Sequence, residues 1–282
     1  MDLDPLVDSG PSRYAVESDE EDEYNPLEQH DAKDHKEHEF QVKIIGSVPQ
    51  GTSLLAAFGD AGRYWAKGAN LGEQIGAVFV NDIQVGLAFK PSWTKATVIV
   101  SESFTRLPIN GMHEYSSSLI STLGPSSISI LDVYPSPTYI SSSLIPQHEA
   151  PIRYISSSQD LEMPREAQPF APPNLVHSTT SSALLAQIVT QTSINTGTLI
   201  LLPFPRVPAP PPKTLQHSNF SHLMQDGYQW SAEAMNTAHR LLLRGLGHNT
   251  SPQWQGSKRD LGISGAATHD ARSTIGEGGM YI

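Results

Sequence analysis

Apolar residues in this chain come in short blocks, and most blocks end on glycine, proline or a polar cluster. Leu54-Leu55-Ala56-Ala57-Phe58, closed by Gly59-Asp60, has the length and boundary of a buried strand. Asp60 is placed to cap a short helix running through Tyr64-Trp65 to Gly68. Val78-Phe79-Val80 and Ile83-Gln84-Val85 flank Asn81-Asp82, which predicts a hairpin or one bent strand. Thr97-Val98-Ile99-Val100 is β-branched and strand-like. Residues 112–123 predict a helix with Leu119, Ile120 and Leu123 on one side, and Ile128-Ser129-Ile130-Leu131 returns as a strand.

The pattern then lapses. Residues 134–172 are rich in Ser and Pro, and Pro135, Pro137, Pro146 and Pro151 forbid a continuous helix, so the segment reads as a long loop. Periodicity resumes with Thr179 or Thr180 as a helix cap and Leu184, Leu185, Ile188 and Val189 at helical spacing. Thr198–Leu202 predicts an apolar strand, and 203–213 a second Pro-rich loop. The strongest helical pattern covers about Ser221 to Arg244, with Trp230, Ala234, Ala238, Leu241 and Leu242 on one face. Gly245 and Gly247 stand ready to stop it. Helices alternating with short apolar strands predict an α/β fold, a central sheet flanked by helices.

Charge divides the chain further. Residues 1–40 hold 14 Asp and Glu against 3 Lys and Arg, while the rest carries 15 of each sign. The whole excess of −11 therefore belongs to one end. Residues 1–39 read as a disordered acidic tail, residues 40–247 as the α/β domain and residues 248–282 as a flexible C-terminal tail. A neutral body without a basic stripe predicts no nucleic-acid partner. The apolar runs are too short to span a bilayer and no secretory leader is visible, so the expected location is the cytoplasm or nucleus.

Candidate chemistry is sparse. No cysteine is present, which removes thiolate metal sites and cysteine nucleophiles. His30, His35 and His38 sit among carboxylates in the acidic tail, where ordering would oppose metal binding. Ser18, in an acidic run, suits an acidophilic kinase. Gly59, Gly62, Gly68, Gly72 and Gly76 form neither a Walker motif nor GxGxxG, and read as turns and close packing. His177 near a helix start is a catalytic candidate, although capping or packing explains it as well. No cofactor, metal or catalytic residue is expected.

Two stretches carry a resemblance. Pro172-Pro173-Asn174-Leu175-Val176-His177, the following helix and Thr198-Leu199-Ile200-Leu201-Leu202 resemble the C-terminal half of proteasome assembly chaperone 1. Met280-Tyr281-Ile282 matches the hydrophobic-Tyr-any ending of proteasome activators and assembly factors. The acidic first segment and overall length are similar to that family, and over 50–133 the order of elements matches. The Pro- and Ser-rich loops and long tail look like a fungal-type member. The resemblance implies a phosphorylase/hydrolase-like domain without catalysis. It also implies a heterodimer with proteasome assembly chaperone 2 that caps the α-subunit ring of the proteasome core particle and blocks premature activator binding. Met280, Tyr281 and Ile282 would then enter an α-ring pocket, the terminal carboxylate pairing with a lysine. Two alternatives remain on the residues alone: a hydrolase- or phosphorylase-like enzyme, and a generic scaffold whose ending matches by chance.

Overall fold

The computed structural model describes residues 40–256, apart from 142, 144, 159–162, 177–178, 192–193, 218–226 and 249–251. Among these residues nine strands form one mixed sheet: β1 Val42–Gly46, β2 Leu54–Phe58, β3 Gln74–Val80, β4 Ile83–Phe89, β5 Thr97–Ser101, β6 Ser127–Pro135, β7 Ile152–Ser156, β8 Ala167–Pro169 and β9 Thr196–Phe204. Their order is β1-β3-β4-β5-β2-β6-β9-β7-β8. The middle four, β5, β2, β6 and β9, run parallel; β4 and β7 flank them antiparallel. Every residue of β2 and β5 is buried, as expected of parallel strands covered on both faces.

Among the described residues four α-helices provide the cover: α1 Gly59–Gly68, α2 Ile109–Leu123, α3 Thr180–Thr190 and α4 Ala232–Gly245. On one face Tyr115 and Leu119 of α2 and Leu184 and Ile188 of α3 pack with Ile99, Ile130, Leu199 and Leu201. On the other, Trp65 of α1 and Leu241 and Leu242 of α4 pack with Leu55, Val98, Ile200 and Leu202. Alternate residues of each strand thus feed opposite cores, giving a three-layer α/β/α body.

Local chemistry sets the element ends. Asn81 and Asp82 both take positive φ, 47° and 65°, the pattern a two-residue hairpin turn requires between β3 and β4. Gly124 closes α2 in the left-handed region, its N–H donating to Ile120 O at 2.8 Å. Thr179 caps α3 by accepting the Ser182 N–H at 3.1 Å, and Ser231 caps α4 by accepting the Ala234 N–H at 3.1 Å.

Several expectations need correction. The stretch 134–172 is no continuous loop: β6 runs on to Pro135, and β7 and β8 extend the sheet beyond β9. Ser and Pro composition hid β7, whose Ile152-Arg153-Tyr154-Ile155 begins directly after Pro151, a place where proline costs no ladder bond. Asp60 does not cap α1. It lies inside the first turn and pairs with Arg63 at 3.0 Å. The last helix begins at Ala232, and Trp230 precedes it, buried with its indole N–H on Pro203 O at 2.8 Å. Val189, at helical spacing on α3, faces solvent.

The packed body also passes the boundary expected at residue 247. Trp254 is 4% exposed; its indole N–H donates to Trp65 O and its backbone N–H to Asn236 Oδ1, both at 2.8 Å. The ring lies so close over Gly68 that a Cβ there would stand 2.4 Å from it. A side chain at 68 would displace this strap.

Candidate functional site

In open α/β sheets, ligand chemistry gathers at the carboxyl ends of the parallel strands. Here that end holds two acids. Glu102 follows β5 directly, with φ 54°, a left-handed backbone unusual for glutamate. Asp132 lies near the end of β6 and is buried. Each acid accepts one backbone N–H: Leu107 to Glu102 Oε2 at 3.1 Å, and Val133 to Asp132 Oδ1 at 2.8 Å.

The remaining oxygens take hydroxyls from the first turn of α3. Thr180 donates to Glu102 Oε1, and Ser181 donates to Asp132 Oδ2. Thr179 Oγ1 lies 2.9 Å from Ser181 Oγ while also capping the helix. Below this layer, Ser101 and Tyr115 share a buried 2.7 Å hydroxyl pair. Two strand ends thus grip one helix start through four side chains.

Electrostatics follow from burial. Desolvation pushes the Glu102 carboxyl up to about 7, with Asp132 adding repulsion, while Thr180, the Leu107 N–H and the Arg106 charge pull it back. Asp132 is pushed up to about 6 by desolvation, with Asp60 adding to it, against Ser181, the Val133 N–H and Arg106. Arg106 itself is exposed and donates to Ala209 O at 2.8 Å and Pro210 O at 3.3 Å, pinning the Pro-rich loop beside the acids.

Hydroxyl next to carboxylate has the composition of a nucleophile and base. Access decides otherwise: Ser181 is 0% and Thr180 2% exposed. Both hydroxyls are buried and bonded to the acids, so this layer clasps the first turn of α3 to the two strand ends. The clasp was missed in the sequence, although one signal existed: each acid sits at the end of a β-branched apolar run.

The residues singled out from sequence fare differently. Met280, Tyr281 and Ile282 lie outside the described residues, as do Ser18, His30, His35, His38 and His177. The glycines do serve turns and packing: Gly59 takes φ 54°, and a Cβ at Gly62 would meet the Ala57 backbone at 2.6 Å. Among the described residues no group of three or more His, Asp or Glu is arranged to hold a metal. No helix among them is long and apolar enough to cross a membrane.

No protein-family model matches this sequence, and no curated protein matches it either. Solved structures do. Pyrococcus furiosus PbaB, an archaeal proteasome activator, aligns with a TM-score of 0.47 at 10% identity, over 75% of this chain and 91% of its own. Pyrococcus furiosus PbaA, an archaeal homolog of proteasome-assembly chaperone, gives 0.45 at 11% identity, over 75% and 88%. A Thermoplasma acidophilum protein of unknown function gives 0.40 at 12%, over 54% and 68%. At such values the likeness is one of chain path.

Proposed function

We propose that this chain is a non-catalytic assembly chaperone of the proteasome core particle, a fungal-type proteasome assembly chaperone 1. It works as one half of a heterodimer with proteasome assembly chaperone 2, caps the α-subunit ring, and acts in the cytoplasm or nucleus. Met280, Tyr281 and Ile282 dock in a pocket between ring subunits: Met280 in an apolar groove, Tyr281 as a rigid ring with a hydroxyl handle, the terminal carboxylate on a lysine.

One observation carries this reading. The segment with the family resemblance forms α3 and β9, and the first turn of α3 is bonded to the strand-end acids, where an enzyme of this architecture would hold its substrate. The hydroxyls at that end are bonded to the acids, which supports a binding protein over an enzyme. Co-expression with proteasome assembly chaperone 2 tests it. A one-to-one complex that captures α subunits is expected; a well-behaved monomer with no affinity for either refutes it.

A further inference from the structure

A second feature lies apart from the strand-end clasp. Arg153, on β7, is 5% exposed, and its guanidinium lies 3.7 Å from the centre of the Tyr139 ring and 5.7 Å from that of Tyr134. Its Nη1 donates to Pro169 O at 3.2 Å, and its buried Nε has no partner. Among the described residues no carboxylate pairs with it: Glu166 goes to Arg240 and Glu149 to His148. A buried guanidinium held by ring faces, the Tyr134 hydroxyl and one neutral carbonyl lacks a counter-charge among the described residues, and an arriving carboxylate would supply one.

The surroundings fit such a ligand. Arg153, Tyr134, Tyr139, Ile140 and Pro151 line an open cleft of about 370 Å³, room for one or two side chains. Ile140, one of the lining residues, is a large apolar side chain left 61% exposed. Asn174 holds its backbone: Oδ1 accepts the Ile140 N–H at 2.7 Å and Nδ2 donates to Ile140 O at 2.8 Å. Cation inside and apolar rim outside are the complement of an acidic residue followed or preceded by an apolar one.

We propose that this cleft binds an acidic peptide segment, an extended stretch in which a carboxylate reaches Arg153 while a neighbouring apolar side chain lies on Ile140. This site is independent of the C-terminal docking residues.

Calorimetric titration of the full chain with blocked peptides tests it: Gly-Leu-Asp-Gly, Gly-Leu-Asn-Gly and Gly-Ser-Asp-Gly, each acetylated and amidated, with inorganic phosphate as a further arm. The Leu-Asp peptide is expected to bind, and the Asn and Ser peptides to bind at least about tenfold more weakly. Arg153→Lys keeps the charge but loses the planar fork, and should weaken the Leu-Asp peptide about tenfold. If that variant fails to fold, Ile140→Ser, at an exposed position, should weaken it similarly. Equal binding of the Asp and Asn peptides, no binding at millimolar concentration, phosphate outcompeting the Leu-Asp peptide, or indifference to the Ile140 substitution would each overturn the proposal.

Discussion

Ser181, the second residue of α3, donates its hydroxyl to the buried carboxylate of Asp132 on β6, so the start of one helix is fixed to the end of one central strand. The bond spans 49 residues of sequence and joins two of the three layers. Ser181→Ala leaves Asp132 Oδ2 without that donor in a buried place, and should cost about 1–3 kcal/mol in denaturant unfolding. Loss of less than about 0.5 kcal/mol would show that the clasp adds little to the fold.

The same acids set a pH dependence. The Glu102 and Asp132 carboxyls sit at about 7 and about 6 in the fold, above the ordinary carboxylate range. The folded state therefore holds protons that the unfolded chain has released. Their contribution is greatest below about pH 4.5 and is lost as pH rises toward 7. Glu102→Gln should flatten the fall in unfolding free energy across that window, by about 3 kcal/mol at most. An unchanged slope would place the titration elsewhere.

His239 works in the opposite direction. It is buried, accepts the Trp65 indole N–H on Nδ1 at 3.1 Å, and is lowered to about 4 by desolvation. The unfolded chain binds this proton first, so the His239 contribution holds above about pH 6.5 and is lost as pH falls toward 4. His239→Gln should reduce acid sensitivity in that range, even where it lowers stability at neutral pH. Proton resonances of the imidazole that titrate near 6.5 in the native protein would contradict this.

How much of this was legible depended on whether burial spoke through pattern. The five-residue runs at Leu54 and Thr97, fully buried on both faces, announced themselves as apolar blocks, and Asn81-Asp82 announced its turn by residue type. β7 did not: Arg153 and Tyr154 break an apolar run, and the arginine is buried by ring stacking that no local pattern encodes. The clasp was equally silent, since Glu102 meets Thr180 across 78 residues. Gly, Ser and Thr around Trp254 concealed one buried indole in what reads as tail.

That indole gives a further test. Trp254→Ala removes a buried ring and its indole hydrogen bond to Trp65 O, while the backbone bond to Asn236 can persist, and should cost about 3–5 kcal/mol. A chain ending after Gly256 should keep its melting temperature, while one ending after Gly247 should melt roughly 10 °C lower. Equal melting of the two would return the edge of the folded body to residue 247.

Docking at the α ring is decided by affinity for the proteasome core particle, compared for the intact chain, a chain lacking Met280-Tyr281-Ile282, and a chain with one alanine added after Ile282, each in complex with proteasome assembly chaperone 2. A charge-assisted bond from the terminal carboxylate contributes about 1.5–3 kcal/mol, so both altered chains should bind about ten- to a hundredfold more weakly while the heterodimer stays intact. Binding of the extended chain as tight as that of the intact one would mean that no pocket reads the carboxylate, and would contradict docking through Met280, Tyr281 and Ile282.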